Sequence, residues 1–208
     1  FRSDNSDGAP NPVPRQQLWR LALDLVWLGK PGITLWCVLV ALGTASLAAG
    51  GLADVIPRLL PLLGGTALTV LAAGGLNMVL EHRADARMER TRHRPVAAGR
   101  LPVGWAVSVA VTQAGAGLAL LAQGTNLLTT LLAAVALVTY LAVYTPLKYR
   151  TRFAAAVGTL PGAVPALMGW AAVTGGLAAP AWVVFAILVL WQLPHTLAIT
   201  VRRRADYE

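Results

Sequence analysis

Charged residues and cysteines are both scarce in this sequence. Only 12% of the 208 residues are charged, roughly half the fraction of an ordinary soluble domain, so a water-soluble globular fold is disfavoured. Cys37 is the single cysteine, which excludes an intrachain disulfide and any metal site built on two thiolates. Apolar residues instead make up 56% of the chain and form long runs. Because roughly 20 apolar residues span the hydrocarbon core of a bilayer, the sequence predicts an all-α, polytopic transmembrane bundle.

Six apolar runs are long enough to be predicted as spans. Their approximate bounds are 32–49, 59–80, 103–121, 127–144, 154–173 and 181–200. Residues 15–30 mix Leu and Trp with charged residues, which predicts an amphipathic helix lying at the membrane interface. Residues 1–14 have little to bury and are predicted to be a disordered tail. Residues 15–208 are therefore interpreted as one transmembrane domain.

Basic residues crowd alternate connections between these spans. They occur in residues 15–30, 82–100, 148–152 and 202–204, whereas the links "AQGTN" and "TGGLAAP" have no charge. By the positive-inside rule, the N-terminus and all the basic loops are predicted to be cytoplasmic. This pattern accounts for the net charge of +8, and nucleic-acid binding is not expected.

The stretch "NMVLEHRADARMERTRHRPVAAGRLP", residues 77–102, concentrates charge of both signs. Asn77, Glu81 and Asp85 are four residues apart, which places them on one face of a helix that continues from the second span. An amide and two carboxylates in one stripe suit Mg²⁺, which binds hard oxygens and substrate phosphates. Arg90 and Arg94 repeat the spacing, and two guanidinium groups on that same face can bind a diphosphate.

The same stretch has a simpler interpretation as a solvated loop. Its charges can pair locally, for example Glu89 with Arg92, and such surface pairs are common and weak. The spacing alone does not decide between this loop and a metal–diphosphate site.

Three further residues are candidates with alternatives. Lys148 can supply another cation to a diphosphate, or it can only set topology. His195 is ionisable within a span and thus a functional candidate, or it is a neutral side chain bonded to a backbone carbonyl. Asp206 can add a metal ligand, or it can offset the preceding arginines.

The motif resembles the UbiA superfamily of intramembrane prenyltransferases. The superfamily's first motif stands here as Asn77, Glu81, Asp85, Arg90-Thr91 and Arg94-Pro95. "MERT", "YTPLK", "GWAAVTG" and the "W-x-x-PH…DY" ending further resemble its heme O synthase branch. Three positions depart from that branch, namely Arg83, Ala154 and Thr196. The resemblance implies nine spans, so this chain, with six, is expected to be a fragment.

The resemblance also implies a reaction and its site. A farnesyl group would pass from farnesyl diphosphate to a vinyl group of heme B, with Mg²⁺ as cofactor, in the inner (plasma) membrane. Glu81, Asp85 and Asp206 would hold Mg²⁺; Asn77, Arg90, Arg94 and Lys148 would hold the diphosphate; His195 would contact the heme. Two alternatives stay open, a related enzyme with a quinone-ring or other aromatic acceptor, and a transporter or non-catalytic membrane protein.

Overall fold

The protein is a helical bundle with short connections. A computed structural model describes residues 15–49, 55–151 and 153–202, and every regular element in them is helical. In chain order these are α1 Arg15–Leu28, α2 Pro31–Ala49, α3 Ile56–Asp85, α4 Val103–Gly124, α5 Leu127–Val138, a π-helical segment Thr139–Tyr144, α6 Thr145–Leu147, α7 Ala154–Thr174 and α8 Ala179–Arg202. The predicted tail, residues 1–14, lies outside the described residues.

Six stretches in the described residues are long and apolar enough to cross a membrane. They are α2, α3, α4, the run Leu127–Leu147, α7 and α8. An α-helix satisfies its own backbone hydrogen bonds, which is what a hydrocarbon environment demands. The predicted fold class and the six predicted spans are therefore confirmed.

Small residues allow the helices to approach closely. A Cβ added to Gly65 of α3 would lie 2.9 Å from the carbonyl oxygen of Gly117 on α4. Between α2 and α7, a Cβ on Gly169 would lie 2.1 Å from the carbonyl oxygen of Ala41. Membrane helices associate through this kind of close packing because burial of apolar surface gives them little advantage over lipid.

The most buried helix is α7, which has two internal prolines, Pro161 and Pro165. Both prolines, with Gly158 and Gly162 beside them, line a cavity inside the bundle. The sequence interpretation that these residues shape a cavity is consistent with this arrangement. The π-helical segment faces the same cavity with Tyr140 and Tyr144, in keeping with the frequent occurrence of π-helical turns at functional sites.

Helix α3 is 30 residues long and positions the charged stretch. Its extension beyond the predicted span as far as Asp85 confirms the expected helical stripe. The prediction that Arg90 and Arg94 share that helical face is wrong, because residues 86–102 form turns. The Thr91 hydroxyl donates a hydrogen bond to the Asp85 carbonyl oxygen (2.9 Å), which also accepts from the Met88 backbone N–H (3.3 Å), so the turns satisfy this carbonyl at the end of the helix.

Candidate active site

Three polar side chains of α3 form a buried stripe. Asn77, Glu81 and Asp85 are only 2%, 3% and 4% exposed. Burying a carboxylate is unfavourable unless a cation or hydrogen-bond donors compensate for its lost hydration. The stripe therefore needs partners from elsewhere in the fold.

Two cations provide that compensation. Lys148, at the end of α6, places its Nζ 2.5 Å from Glu81 Oε1. Arg94, from the turns after α3, places its Nη1 2.7 Å from Asp85 Oδ2 and 4.0 Å from Glu81 Oε2. Although Lys148 is close, Glu81 Oε1 has no well-aligned hydrogen-bond donor within the described ranges. The contact is thus an ion pair that leaves this oxygen able to bind a further ligand.

Asn77 connects the stripe to the start of the first span. Its Oδ1 accepts a hydrogen bond from Lys30 Nζ (2.5 Å) and lies 3.4 Å from the donating Tyr140 hydroxyl. Its Nδ2 donates to Thr145 Oγ1 (3.2 Å), and the Thr145 hydroxyl donates to the Tyr140 carbonyl (2.8 Å). These contacts fix the orientation of the Asn77 amide.

Lys30 sits in an unusual turn between α1 and α2. Its φ is 54°, a left-handed conformation that is uncommon outside glycine. The preceding residue, Gly29, packs against α3 so closely that a Cβ on Gly74 would lie 2.9 Å from the Gly29 carbonyl oxygen. Burial, reinforced by the positive charge of Arg94, lowers the pKa of Lys30 to about 8. The fold therefore holds the Lys30 ammonium at the site although burial and repulsion from Arg94 both disfavour its charge.

Lys30 and Tyr140 are site residues that the sequence analysis missed. They lie 47 and 63 positions from Asn77 in the chain, so no local spacing links them to the motif. Two weak signals existed, namely a lysine directly before the proline that begins a span, and a tyrosine hydroxyl within a span, where a polar group needs a partner.

The cavity beneath this cluster is mostly apolar and has a volume of about 270 Å³. Residues of α2, α3, α5, α7 and α8 line it, including Cys37, Val70, Ala133 and Met168. Its polar lining residues include Lys30 and Tyr140, and also Thr69, Tyr144, Gln192 and Thr196. We call it the apolar cavity. A charged cluster at one end of an apolar chamber suits a ligand with an anionic head and a hydrocarbon tail.

A second cleft, of about 660 Å³, lies between α1 and the turns after α3. We call it the basic cleft, because its lining residues, within the part of the chain that the structure describes, are four cations and one carboxylate, namely Lys30, Arg90, Arg94, Arg100 and Asp24. Arg90 and Arg94 thus share a cleft even though they do not share a helical face. Nearby, Arg92 pairs with Glu89 at the surface, so the predicted local pairing also occurs.

Two other predicted residues are not brought to the cluster. His195 is an exposed residue of α8, and its ring stacks on Trp191 with centroids 4.8 Å apart; its neighbours Gln192 and Thr196, rather than His195, line the apolar cavity. Asp206 lies outside the described residues.

The carboxylate stripe is compatible with Mg²⁺. No group of three His, Cys, Asp or Glu side chains that could hold a metal occurs in the part of the chain that the structure describes. Mg²⁺ usually takes only one or two protein carboxylates and completes its shell with water and substrate phosphates. Glu81 and Asp85 lie four residues apart on α3, and Glu81 Oε1 is buried without a hydrogen-bond partner among the described residues, so this pair fits that requirement.

Comparison with known proteins places this site in a family. Residues 34–208 match the UbiA prenyltransferase family. The chain is 45% identical over 186 residues to a protoheme IX farnesyltransferase of Anaeromyxobacter sp. (strain Fw109-5), covering 89% of this chain and 62% of that protein. It is 42% identical over 192 residues to a protoheme IX farnesyltransferase of Myxococcus xanthus (strain DK1622), covering 92% and 65%.

The chain thus spans about three fifths of the length of the curated relatives it matches. No solved structure matches it. The family match covers most of the chain, including the carboxylate stripe, the paired cations and the cavity-lining helices. The chain therefore belongs to the UbiA prenyltransferase family.

Proposed function

We propose that this protein transfers a farnesyl group from farnesyl diphosphate to a vinyl group of heme B within the membrane, giving heme O. The observation that carries the proposal is the pairing of two buried carboxylates with two cations at one end of the apolar cavity. The name that both relatives carry, protoheme IX farnesyltransferase, supports this choice of donor and acceptor.

The polar cluster would bind the diphosphate head. Arg94 and Lys148 have their charged ends within the cluster, where each can donate hydrogen bonds to phosphate oxygens, and Arg90 lines the adjoining basic cleft. Asn77 presents an oriented amide to the same place. Mg²⁺ would be held by Glu81 and Asp85, with Asp206 proposed as a further ligand, and would neutralise charge on the diphosphate.

The chemistry needs both charge stabilisation and exclusion of water. The bond between farnesyl C1 and the diphosphate oxygen breaks, and its electron pair leaves with the diphosphate. The cations stabilise that developing negative charge. The remaining allylic chain is electron-deficient and reacts readily with water, so the largely apolar lining around Met168 and Pro165 would protect it until the outer vinyl carbon of the acceptor attacks. That attack forms the new carbon–carbon bond and moves the positive charge to the inner vinyl carbon. A water molecule then adds to the inner carbon and loses a proton, which gives a neutral, hydroxylated product.

The test is product formation by the protein reconstituted in lipid vesicles with heme B, farnesyl diphosphate and Mg²⁺, followed by mass spectrometry. We expect heme O from the parent protein. Glu81→Gln and Asp85→Asn should each lower turnover far more than protein abundance, because they remove a charge without changing shape. Glu89→Gln is the matched control, since Glu89 is an exposed carboxylate that pairs with Arg92 at the surface. Prenylation of a quinone-ring acceptor without any heme product would refute the proposed acceptor.

We also propose a location and a topology. The six apolar helices indicate a multi-pass membrane protein, and we place it in the inner membrane with the basic loops cytoplasmic. On a background in which buried Cys37 is Ser, single cysteines at Arg92 and Ala178 should react with an impermeant thiol reagent from opposite sides. Labelling from the same side would contradict six alternating spans.

A further inference from the structure

The basic cleft is separate from the carboxylate stripe but adjoins it. Lys30 and Ile33 line both the basic cleft and the apolar cavity. Arg94 lines the basic cleft and reaches Asp85 through its Nη1. A molecule bound in the cleft would therefore lie next to both the diphosphate-binding residues and the chamber proposed for the prenyl chain.

One of the cations that line the cleft is a guanidinium held in place by hydrogen bonds. Arg100 donates from Nε and Nη2 to the Asp24 carboxylate (3.0 and 2.8 Å) and from Nη2 to the His93 carbonyl (3.0 Å). Its Nη1 has no hydrogen-bond partner within the described ranges. Among the described residues, one carboxylate, Asp24, and four cationic side chains line the cleft, so these residues favour an anion.

Apolar side chains also line the cleft. They are Trp27, Ile33, Met78 and Pro95, and Trp27 is largely exposed. A small inorganic anion would leave these side chains in contact with water. The cleft instead suits a broad apolar molecule with acidic groups along one edge, and its volume lies within the roughly 300–1,000 Å³ typical of small-molecule sites.

We propose that the basic cleft binds the acidic edge of the acceptor, with Arg100 contacting a carboxylate of heme B. This inference rests on the proposed function. Heme B is a flat apolar macrocycle that carries its two carboxylates on the edge opposite to its vinyl groups. With the acidic edge at Arg100, the vinyl edge faces Lys30 and the mouth of the apolar cavity. The exposed His195 lies on α8, outside the lining of this cleft.

The test compares heme B with its dimethyl ester, in which both carboxylates are masked. Binding to the protein in neutral phosphatidylcholine vesicles is followed by heme absorbance, and the Michaelis constant of farnesyl transfer is measured for both acceptors. We expect the parent protein to bind the free acid about three- to tenfold more tightly than the ester. This ratio corresponds to an interaction stronger than a typical exposed ion pair and weaker than a charge-assisted hydrogen bond.

A variant then assigns the preference to one residue. Arg100→Gln should abolish the preference for the free acid, whereas Arg92→Gln, a surface arginine paired with Glu89, should keep it. Each ligand partitions into lipid to the same extent whichever variant is present. A change between variants in the ratio of the affinities for heme B and its dimethyl ester therefore reports the contact with the heme carboxylate. The comparison of ligands on the parent protein needs no variant, so misfolding of Arg100→Gln would not remove the test.

Three results would overturn the inference. One is equal binding of free acid and ester by the parent, or a preference that survives in Arg100→Gln. A second is an Arg100→Gln effect confined to the Michaelis constant of farnesyl diphosphate, which would assign the cleft to the diphosphate. A third is an Arg100→Gln defect that is absent in the neutral vesicles and appears only when the assay is repeated in anionic vesicles, which would assign the cleft to lipid headgroups. Absence of any heme product despite carboxylate-dependent binding would instead refute the proposed function.

Discussion

Breaking the ion pair between Glu81 and Lys148 from either side should have unequal effects on stability. Glu81 is 3% exposed, whereas the side chain of Lys148 is 32% exposed. In Glu81→Gln the remaining lysine can turn its ammonium to water. In Lys148→Met the carboxylate stays buried and loses the cation at 2.5 Å.

The structure also sets the size of the difference. Removing one partner of a fully buried pair costs about 3–5 kcal/mol. Arg94 Nη1, at 4.0 Å from Glu81 Oε2, offsets part of that cost for the remaining carboxylate. We therefore expect Lys148→Met to lower the free energy of unfolding by about 2–4 kcal/mol. Glu81→Gln should lower it by less than about 1 kcal/mol, as for an exposed pair.

The assay is a double-mutant cycle with unfolding in mixed detergent micelles titrated with a denaturing surfactant. The double variant Glu81→Gln/Lys148→Met should recover most of the stability lost in Lys148→Met, because no buried charge remains unpaired. It should stay inactive, because it lacks both a proposed metal ligand and a proposed diphosphate contact. Equal destabilisation by the two single variants, or no recovery in the double variant, would refute this account of the pair.

Three more predictions follow from the same contacts. Arg94→Lys loses a planar guanidinium within 2.7 Å of a buried carboxylate, so turnover at low farnesyl diphosphate should fall about ten- to a hundredfold. Arg92→Lys should change this turnover little. An equal loss of turnover in both variants would indicate a diffuse basic patch. Gly74→Ala places a Cβ 2.9 Å from the backbone carbonyl of the α1–α2 turn and should lower activity, whereas Gly115→Ala meets nothing within 4 Å and should not. Because the pKa of Lys30 is lowered to about 8, its charge is present below that pH and lost above it, so affinity for farnesyl diphosphate should fall between pH 7 and 9. Lys30→Arg should remove this fall in affinity. If the pH dependence of affinity were the same in Lys30→Arg as in the parent, Lys30 would not contribute.

The elements of the fold were predictable because each apolar run is long and uninterrupted. The stripe of Asn77, Glu81 and Asp85 was also predictable, since helical periodicity alone places residues four apart on one face. The position of Arg94 was not, because α3 ends at Asp85 and the following turns, rather than helical geometry, bring the guanidinium back. Lys30 could not be assigned either, because its place depends on the close packing of Gly29 against α3.

The length of α3 spreads the polar residues of the candidate site over a range of depths. From Asn77 to Asp85 the helix advances about 12 Å, at 1.5 Å per residue, and Asn77 stands next to the apolar cavity while Asp85 stands where the helix gives way to exposed turns. The polarity of the surroundings therefore changes along one helix in the same direction as it changes across half a bilayer. An amphiphile lying in that leaflet already has its head at the depth of Asp85 and its tail at the depth of the apolar cavity. It can therefore enter laterally from the leaflet without reorienting and without moving its anionic group through hydrocarbon.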